Sequence, residues 1–409
     1  MNILQVNYSD LMGRIFNGYD LQISLNERGI QASQAVRDKL SHDGRVYGLG
    51  ADPAIQEEIK HVEKRFSISH LLYPYGQKLK KMECYEKADI VHYHILHNNF
   101  ISLLDLPLLM ENKTSVWTIH DPWIVTGNCV HPLQCGRWKT GCGSCRNLEY
   151  KWFEMRQDHT RQMWEIKRQI FKQINPTIVV ASRFMEDYIK ASPLTGHFTD
   201  IVRIPFGVKQ RMCRVWDQKE MRRKFSLPQE SFVIGFRSED DKVKGCDFLY
   251  KALENLDEKE EVSLLTVGGG EIPRKIKKKF RIRELGWVND DKTIEQFFAC
   301  CDLFVMPSLA ESFGLMAVEA MAAGVPVVCF KDTAVEEMIH GPMCGMAVEY
   351  MNIEELKKAL EYMVQNAEAA SSKGEAGREL AAREYTYELY IERHVQLYEK
   401  LLREERGKV

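Results

Sequence analysis

At 409 residues the chain exceeds what one core ordinarily serves, and two domains of about 200 residues each are expected. Its 44% apolar and 28% charged content is globular, which excludes a disordered or fibrous protein, and a formal charge of −2 tells against a general nucleic-acid binder. No apolar run is long enough to span a bilayer, and residues 1–6 open like a strand without the features of a signal peptide, so a cytoplasmic protein is expected.

In chain order, short β-branched runs predict strands over residues 2–6, 89–95, 115–120, 177–182 and 201–204. Further strands are predicted over 232–236, 263–267, 303–307 and 325–330. Helical patterns fill much of the space between them, which makes the chain α/β with two parallel, doubly wound sheets. The expected hinge lies near Pro205, Gly207 and Val208. This gives an N-terminal Rossmann-like domain over 1–206, a C-terminal one over 207–384 and a closing amphipathic helix over 385–409.

In the first half, His92 and His94 alternate onto one face at the end of the second predicted strand. His120 ends the third, where open α/β sheets present functional groups, although a capped or core histidine fits the same pattern. Cys129, Cys135, Cys142 and Cys145, with His131 as a spare ligand, read equally as a structural zinc site and as buried free thiols. Residues 151–172 mix basic side chains with Trp152, Phe153, Trp164 and Phe171. A helix packing on its own domain explains this better than one lying on an anionic membrane.

In the second half, Arg237 and Lys244 follow a strand on one loop, where a forked and a point cation suit a diphosphate. Exposed loop charges are the alternative for either residue alone. Gly268, Gly269 and Gly270 would let a backbone approach a ligand closely. Residues 272–283 read as a basic, solvated helix face. Glu311 and Glu319 flank a turn that opens a helix over 317–323, stopped by Gly324 and Pro326. The amides of Phe313, Gly314 and Leu315 at its N-terminus favour a phosphate, while both carboxylates suit sugar hydroxyls. A solvated acidic helix face is the plain alternative. No Asp-x-Asp pair is present to hold a divalent metal, so Arg237, Lys244 and these amides are the available phosphate partners.

This order of motifs, Gly235-Phe-Arg237, Lys244-Gly245, Gly268 to Gly270, Leu285-Gly-Trp287 and Glu311-x7-Glu319, resembles the retaining glycosyltransferases of family four over nearly the whole chain. The resemblance implies the GT-B fold, two Rossmann-like domains facing across a cleft, with the final helix crossing back to the first. It makes His120, Arg237, Lys244 and Glu311 catalytic. It assigns the diphosphate to Arg237 and Lys244, the transferred sugar to Glu311 with Phe313, Gly314 and Leu315, and the ribose to Glu319. Gly13, Gly268, Gly269, Val288 and Ser312 complete the implied donor set. Where the family often has Gly-Gly after the first strand, this chain has Gly13-Arg14. Arg14 then suits an anionic acceptor such as a lipid pyrophosphate, with His94 on the acceptor side. The run from His120 to Cys145 closely resembles a branch found in bacterial exopolysaccharide and O-antigen assembly.

The expected function is a retaining, metal-independent transfer from a nucleotide-diphosphate sugar to a saccharide or lipid-linked saccharide. The alternatives are a non-catalytic sugar-nucleotide-binding scaffold and a GT-B epimerase. No cofactor is required for catalysis, no nucleic acid is bound, and peripheral contact with the inner membrane face would suit a lipid-linked acceptor.

Overall fold

The computed structural model describes residues 1–149, 153–256 and 261–407. It divides into two compact units, one of Met1–Ile204 with the helical residues from Ile391 onward, the other of Pro205–Tyr390. The first holds β1 (Asn2–Ser9), β2 (Gln31–Asp38), β3 (Val46–Gly48), β4 (Ile90–Tyr93), β5 (Thr114–Ile119), β6 (Thr177–Val180) and β7 (Ile201–Arg203). All pairings are parallel, in the order β3-β2-β1-β4-β5-β6-β7. β4 and β6 are buried at every residue, as parallel strands are when helices cover both faces. The order reverses between β1 and β4. Loops leaving the carboxyl ends of these two strands therefore diverge and open a crevice.

The second unit holds β8 (Phe232–Ser238), β9 (Val262–Gly268), β10 (Arg281–Glu284), β11 (Leu303–Met306), β12 (Val327–Phe330) and β13 (Gly345–Val348). Its order is β10-β9-β8-β11-β12-β13, again parallel throughout, with the reversal between β8 and β11. Arg237 ends the first of those two strands, and the stretch Pro307 to Phe313 leaves the second.

The expected strands are all present. β2, β3, β10 and β13 are additional: β2 and β10 are rich in polar residues, and β3 and β13 are only three and four residues long. β2 is written with Gln31, Ser33, Gln34, Arg37 and Asp38, and its buried Gln34 is satisfied by donating to the Asn17 carbonyl at 2.8 Å. β3, β10 and β13 are short edge strands.

The basic stretch 272–283 is not one helix, because a helix over Arg274–Lys279 gives way to β10. The helix expected over 151–172 is also shorter, running Thr160–Phe171, and Lys151 and Trp152 lie outside the described residues. Met163, Trp164, Ile170 and Phe171 are buried in the first unit's core, so this helix spends its aromatic face on its own unit. The closing helix runs Tyr387–Arg406, and Ile391, Leu397, Tyr398 and Leu401 on it are buried. Among the described residues no helix is long and apolar enough to cross a membrane.

Candidate functional site

At the switch point of the second sheet, Lys244 ends a short 3-10 turn over Lys242–Lys244, whose cap Asp241 accepts from the Val243 amide at 3.0 Å. Its ammonium donates to Glu311 Oε1 at 2.7 Å, and the Ser308 hydroxyl donates to the same oxygen at 3.1 Å. Burial disfavours the Lys244 charge, but the Glu311 carboxylate outweighs it and holds the ammonium pKa above its ordinary value. An ammonium carries three donors, so this pairing does not exhaust it. Arg237 is tied to Glu239, Nε to Oε2 at 3.0 Å, and its guanidinium lies 5.1 Å from the centre of the exposed Trp287 ring. Glu239 and Trp287 are partners that spacing alone did not reveal. Either partner is visible only once β8, the loop after it and the segment after β10 are brought together.

Gly245, at φ +68°, follows Lys244 because a Cβ there would fall 1.9 Å from the Pro307 carbonyl oxygen. Gly245→Ala should destabilise the protein by about 2–4 kcal/mol and lower its melting temperature by several degrees, read by thermal unfolding. An unchanged melting temperature would contradict the close passage. The glycine run serves a similar purpose. A Cβ on Gly268 would meet the Ser238 carbonyl, one on Gly269 the Trp287 Nε1 and one on Gly270 the Glu239 amide, at 2.2, 2.7 and 2.5 Å. These glycines let the chain pack against itself.

The helix predicted after the turn runs Leu315–Ala322, with Gly314 at φ +92° as its cap residue. Its first amides lack acceptors within the helix, and the macrodipole is positive there. Phe313 points away into the unit's own aromatic packing, edge-on to Phe206 and Tyr385. Ser312 and Leu315 are half-buried around the turn, and Val288 is half-buried next to Trp287. Glu319 sits one turn into the helix, and burial pushes its carboxyl up to about 7, with Arg211 opposing the shift. Arg211 is a further residue that sequence spacing did not single out.

In the first unit, Gly13 accepts from the Phe16 and Asn17 amides in a tight turn at φ +69°. Arg14 pairs with Asp20 at 2.5 Å and lies 5.1 Å from the Tyr19 ring centre, with about half of its side chain exposed. His120 follows β5 and lines a small recess with His94, His97, Asp121 and Thr118. Burial pushes its imidazole down to about 4, Asp121 opposing and His97 adding to the shift, so the ring is neutral at physiological pH. The turn beyond it is fixed by Lys167, fully buried, whose ammonium donates to the Trp123 and Thr126 carbonyls at 2.7 and 2.9 Å. His94, expected to line an acceptor, is instead buried, with its ring nitrogens on Gln5 and His120.

The four-thiolate zinc reading is not supported. Among the described residues no group of three or more His, Cys, Asp or Glu side chains is placed to hold a metal ion. Cys129, Cys135, Cys142 and Cys145 are free, and burial raises the thiol pKa of Cys129, Cys142 and Cys145. Backbone contacts hold their loop. The Gly127 amide donates to Cys142 Sγ at 3.2 Å, and Trp164 Nε1 donates to the Trp138 carbonyl at 3.1 Å.

Residues 217–380 match the family described as Glycosyl transferases group 1. The chain is 23% identical over 374 residues to the Escherichia coli K12 protein named "Putative colanic acid biosynthesis glycosyl transferase WcaC", covering 83% of this chain and 85% of that one. Among solved structures, sucrose-phosphate synthase from Thermosynechococcus elongatus superposes with a TM-score of 0.72 at 18% identity, covering 98% of this chain and 99% of that one. Anabaena HepE in complex with UDP and glucose superposes with a TM-score of 0.67 at 16% identity, covering 98% and 100%. At these identities the two structures speak for the fold.

Proposed function

Given that the chain is a glycosyltransferase with a group 1 domain over residues 217–380, we propose that it is a retaining enzyme of family four using a nucleotide-diphosphate sugar. Its acceptor would be a saccharide or lipid-linked saccharide in surface polysaccharide assembly, at the cytoplasmic side of the inner membrane. The observation that carries this reading is the Lys244–Glu311 pair, 2.7 Å apart, with Arg237 on the strand before it and the N-terminus of the helix over Leu315–Ala322 just after it. Cations and amide dipoles then stand where the leaving diphosphate gathers charge, and they supply that stabilisation from the protein itself.

Glu311 accepts from hydroxyls of the transferred sugar and Glu319 from the ribose. Ser312, Leu315, Val288 and the glycines at 13, 268 and 269 shape the donor's surroundings. The bond from the anomeric carbon to the phosphate oxygen breaks with its electron pair leaving on the diphosphate. The acceptor oxygen attacks the same face, and a donor phosphate oxygen takes its proton. The family resemblance supports a part for His120 in the reaction, and the half-exposed Arg14 suits an anionic acceptor. The likeness to the colanic acid protein supports the polysaccharide assignment, and HepE bound to UDP supports a nucleotide-sugar donor.

The test is a panel of nucleotide sugars, with and without chelator, following nucleoside diphosphate release. Slow donor hydrolysis that persists in chelator is expected. Loss of all release in chelator would overturn metal independence, and binding without turnover of any donor would leave a scaffold.

A further inference from the structure

We propose that the Glu239 carboxylate is an internal stand-in for the donor diphosphate, an autoinhibitory contact that occupies Arg237 in the free protein and is displaced when the donor binds. It rests on the reading of Arg237 and Lys244 as partners of the diphosphate.

The loop after β8 carries three acids in a row, Glu239, Asp240 and Asp241. Two of them hold backbone amides. Asp240 Oδ1 accepts from the Glu271 amide at 2.9 Å, and Asp241 Oδ1 accepts from the Val243 amide at 3.0 Å, at the start of the turn that ends in Lys244. Glu239 holds none. Its Oε2 is buried without a hydrogen bond, although Arg237 Nε lies only 3.0 Å away. At that separation the oxygen must stand off the N–H direction, so charge alone holds the pair. A buried carboxylate oxygen lacking a hydrogen bond is costly, and the adjoining guanidinium is what keeps it there.

Arg237 is under-used in turn. Among the described residues neither of its Nη atoms makes a hydrogen bond, so the fork that can grip a phosphate stays open while Glu239 holds the charge. Lys244 feels the same carboxylate. Besides burial and Glu311, its ammonium is repelled by Arg237 and attracted by Glu239. Glu239 therefore offsets the repulsion between the two cations in the free protein, as a diphosphate would in the complex. Carboxylate and phosphate oxygens offer a guanidinium the same kind of charged acceptor, so the two compete for Arg237.

The exchange needs only a side chain to turn. The Gly270 amide donates to the Ser238 carbonyl at 3.1 Å, and a Cβ on Gly270 would fall 2.5 Å from the Glu239 amide nitrogen, so the backbone beneath Glu239 is held in a close passage. The Glu239 side chain keeps 25% of its exposure, which leaves it a way out to solvent.

The experiment is a calorimetric titration with inorganic pyrophosphate. Glu239→Gln keeps the shape, removes the charge and should bind pyrophosphate about three- to tenfold tighter than wild type, with Glu239→Ala changed in the same direction. Arg237→Ala should bind more weakly than wild type, and adding it to Glu239→Gln should abolish the gain. A carboxylate that merely oriented Arg237 would do the reverse. Unchanged or weaker binding in both Glu239 variants, each shown to be folded by its melting temperature, therefore overturns the proposal. A gain that survives the loss of Arg237 also overturns it, because the competition would not be for that guanidinium. Wild-type affinity in Arg237→Ala alone has a different meaning: it takes the diphosphate off Arg237, which sinks the donor-site reading itself and the stand-in with it.

Discussion

Glu319→Ala is expected to weaken nucleoside diphosphate binding by roughly 30- to 150-fold, the loss of about 2–3 kcal/mol carried by hydrogen bonds from ribose hydroxyls to a carboxylate. The pH dependence makes the prediction more specific. In the ligand-free protein burial pushes the Glu319 carboxyl up to about 7, against an ordinary value of 4.5. Hydroxyl donors favour the charged form, so binding should release a proton near neutrality. Affinity should therefore rise from pH 6 to pH 8 and level off above. Glu319→Gln should bind weakly at both.

The stability linkage has the opposite sense. Below pH 4.5 both folded and unfolded chains hold the proton. Between 4.5 and about 7 only the folded chain holds it, so stability falls as pH rises through that window and is flat beyond. At pH 8, Glu319→Gln should therefore be the more stable protein, by at most about 3 kcal/mol. Calorimetric titration at the two pH values and denaturant melts measure both effects. A wild-type affinity that ignores pH would remove Glu319 from the ribose.

The arrangement of the site was legible where a motif is local in the chain. Glu311, Gly314 and Glu319 lie on one turn and one helix, so their spacing carries their relation. Arg237 sits near the end of a strand whose apolar run is plain, and Lys244 ends the short turn that follows it. Some partners of these groups were not legible. Glu239 reaches Arg237 only because the loop doubles back after β8, and Arg211 reaches Glu319 from a segment more than a hundred positions earlier. The same holds for His120, because its neighbour His94 follows a different strand and meets it only once the sheet has formed. One local reading failed for a physical reason, because the cysteine spacing does not bring its thiols into a metal-binding arrangement. The glycines of 268–270 are in addition needed by the chain's own close passages. The strands overlooked were those whose burial is partial or whose polar side chains are satisfied within the fold, as Gln34 is.

Lys244→Ala should lower turnover by about 10²- to 10³-fold, because it removes a preorganised cation from the place where the leaving diphosphate gathers charge. It should also destabilise the protein, since Glu311 loses the Lys244 ammonium. A fully buried pair broken from one side costs about 3–5 kcal/mol. Here the side chains keep 28% and 16% of their exposure, so about 2 kcal/mol is expected. The Lys244 pKa is raised above 10.5, so the pair's contribution is present below that value and is lost only as pH rises beyond it. Between pH 6 and pH 9 the defect should not vary. Stability and catalysis separate in the double variant Lys244→Met with Glu311→Gln, which leaves no unpaired charge. Its melting temperature should recover towards wild type while its turnover stays low. Recovery of both would make the pair structural, and single-variant turnover within about threefold of wild type would take Lys244 off the diphosphate. Low turnover with restored stability shows that the pair acts in the reaction and that the single variant's defect is not merely a loss of fold.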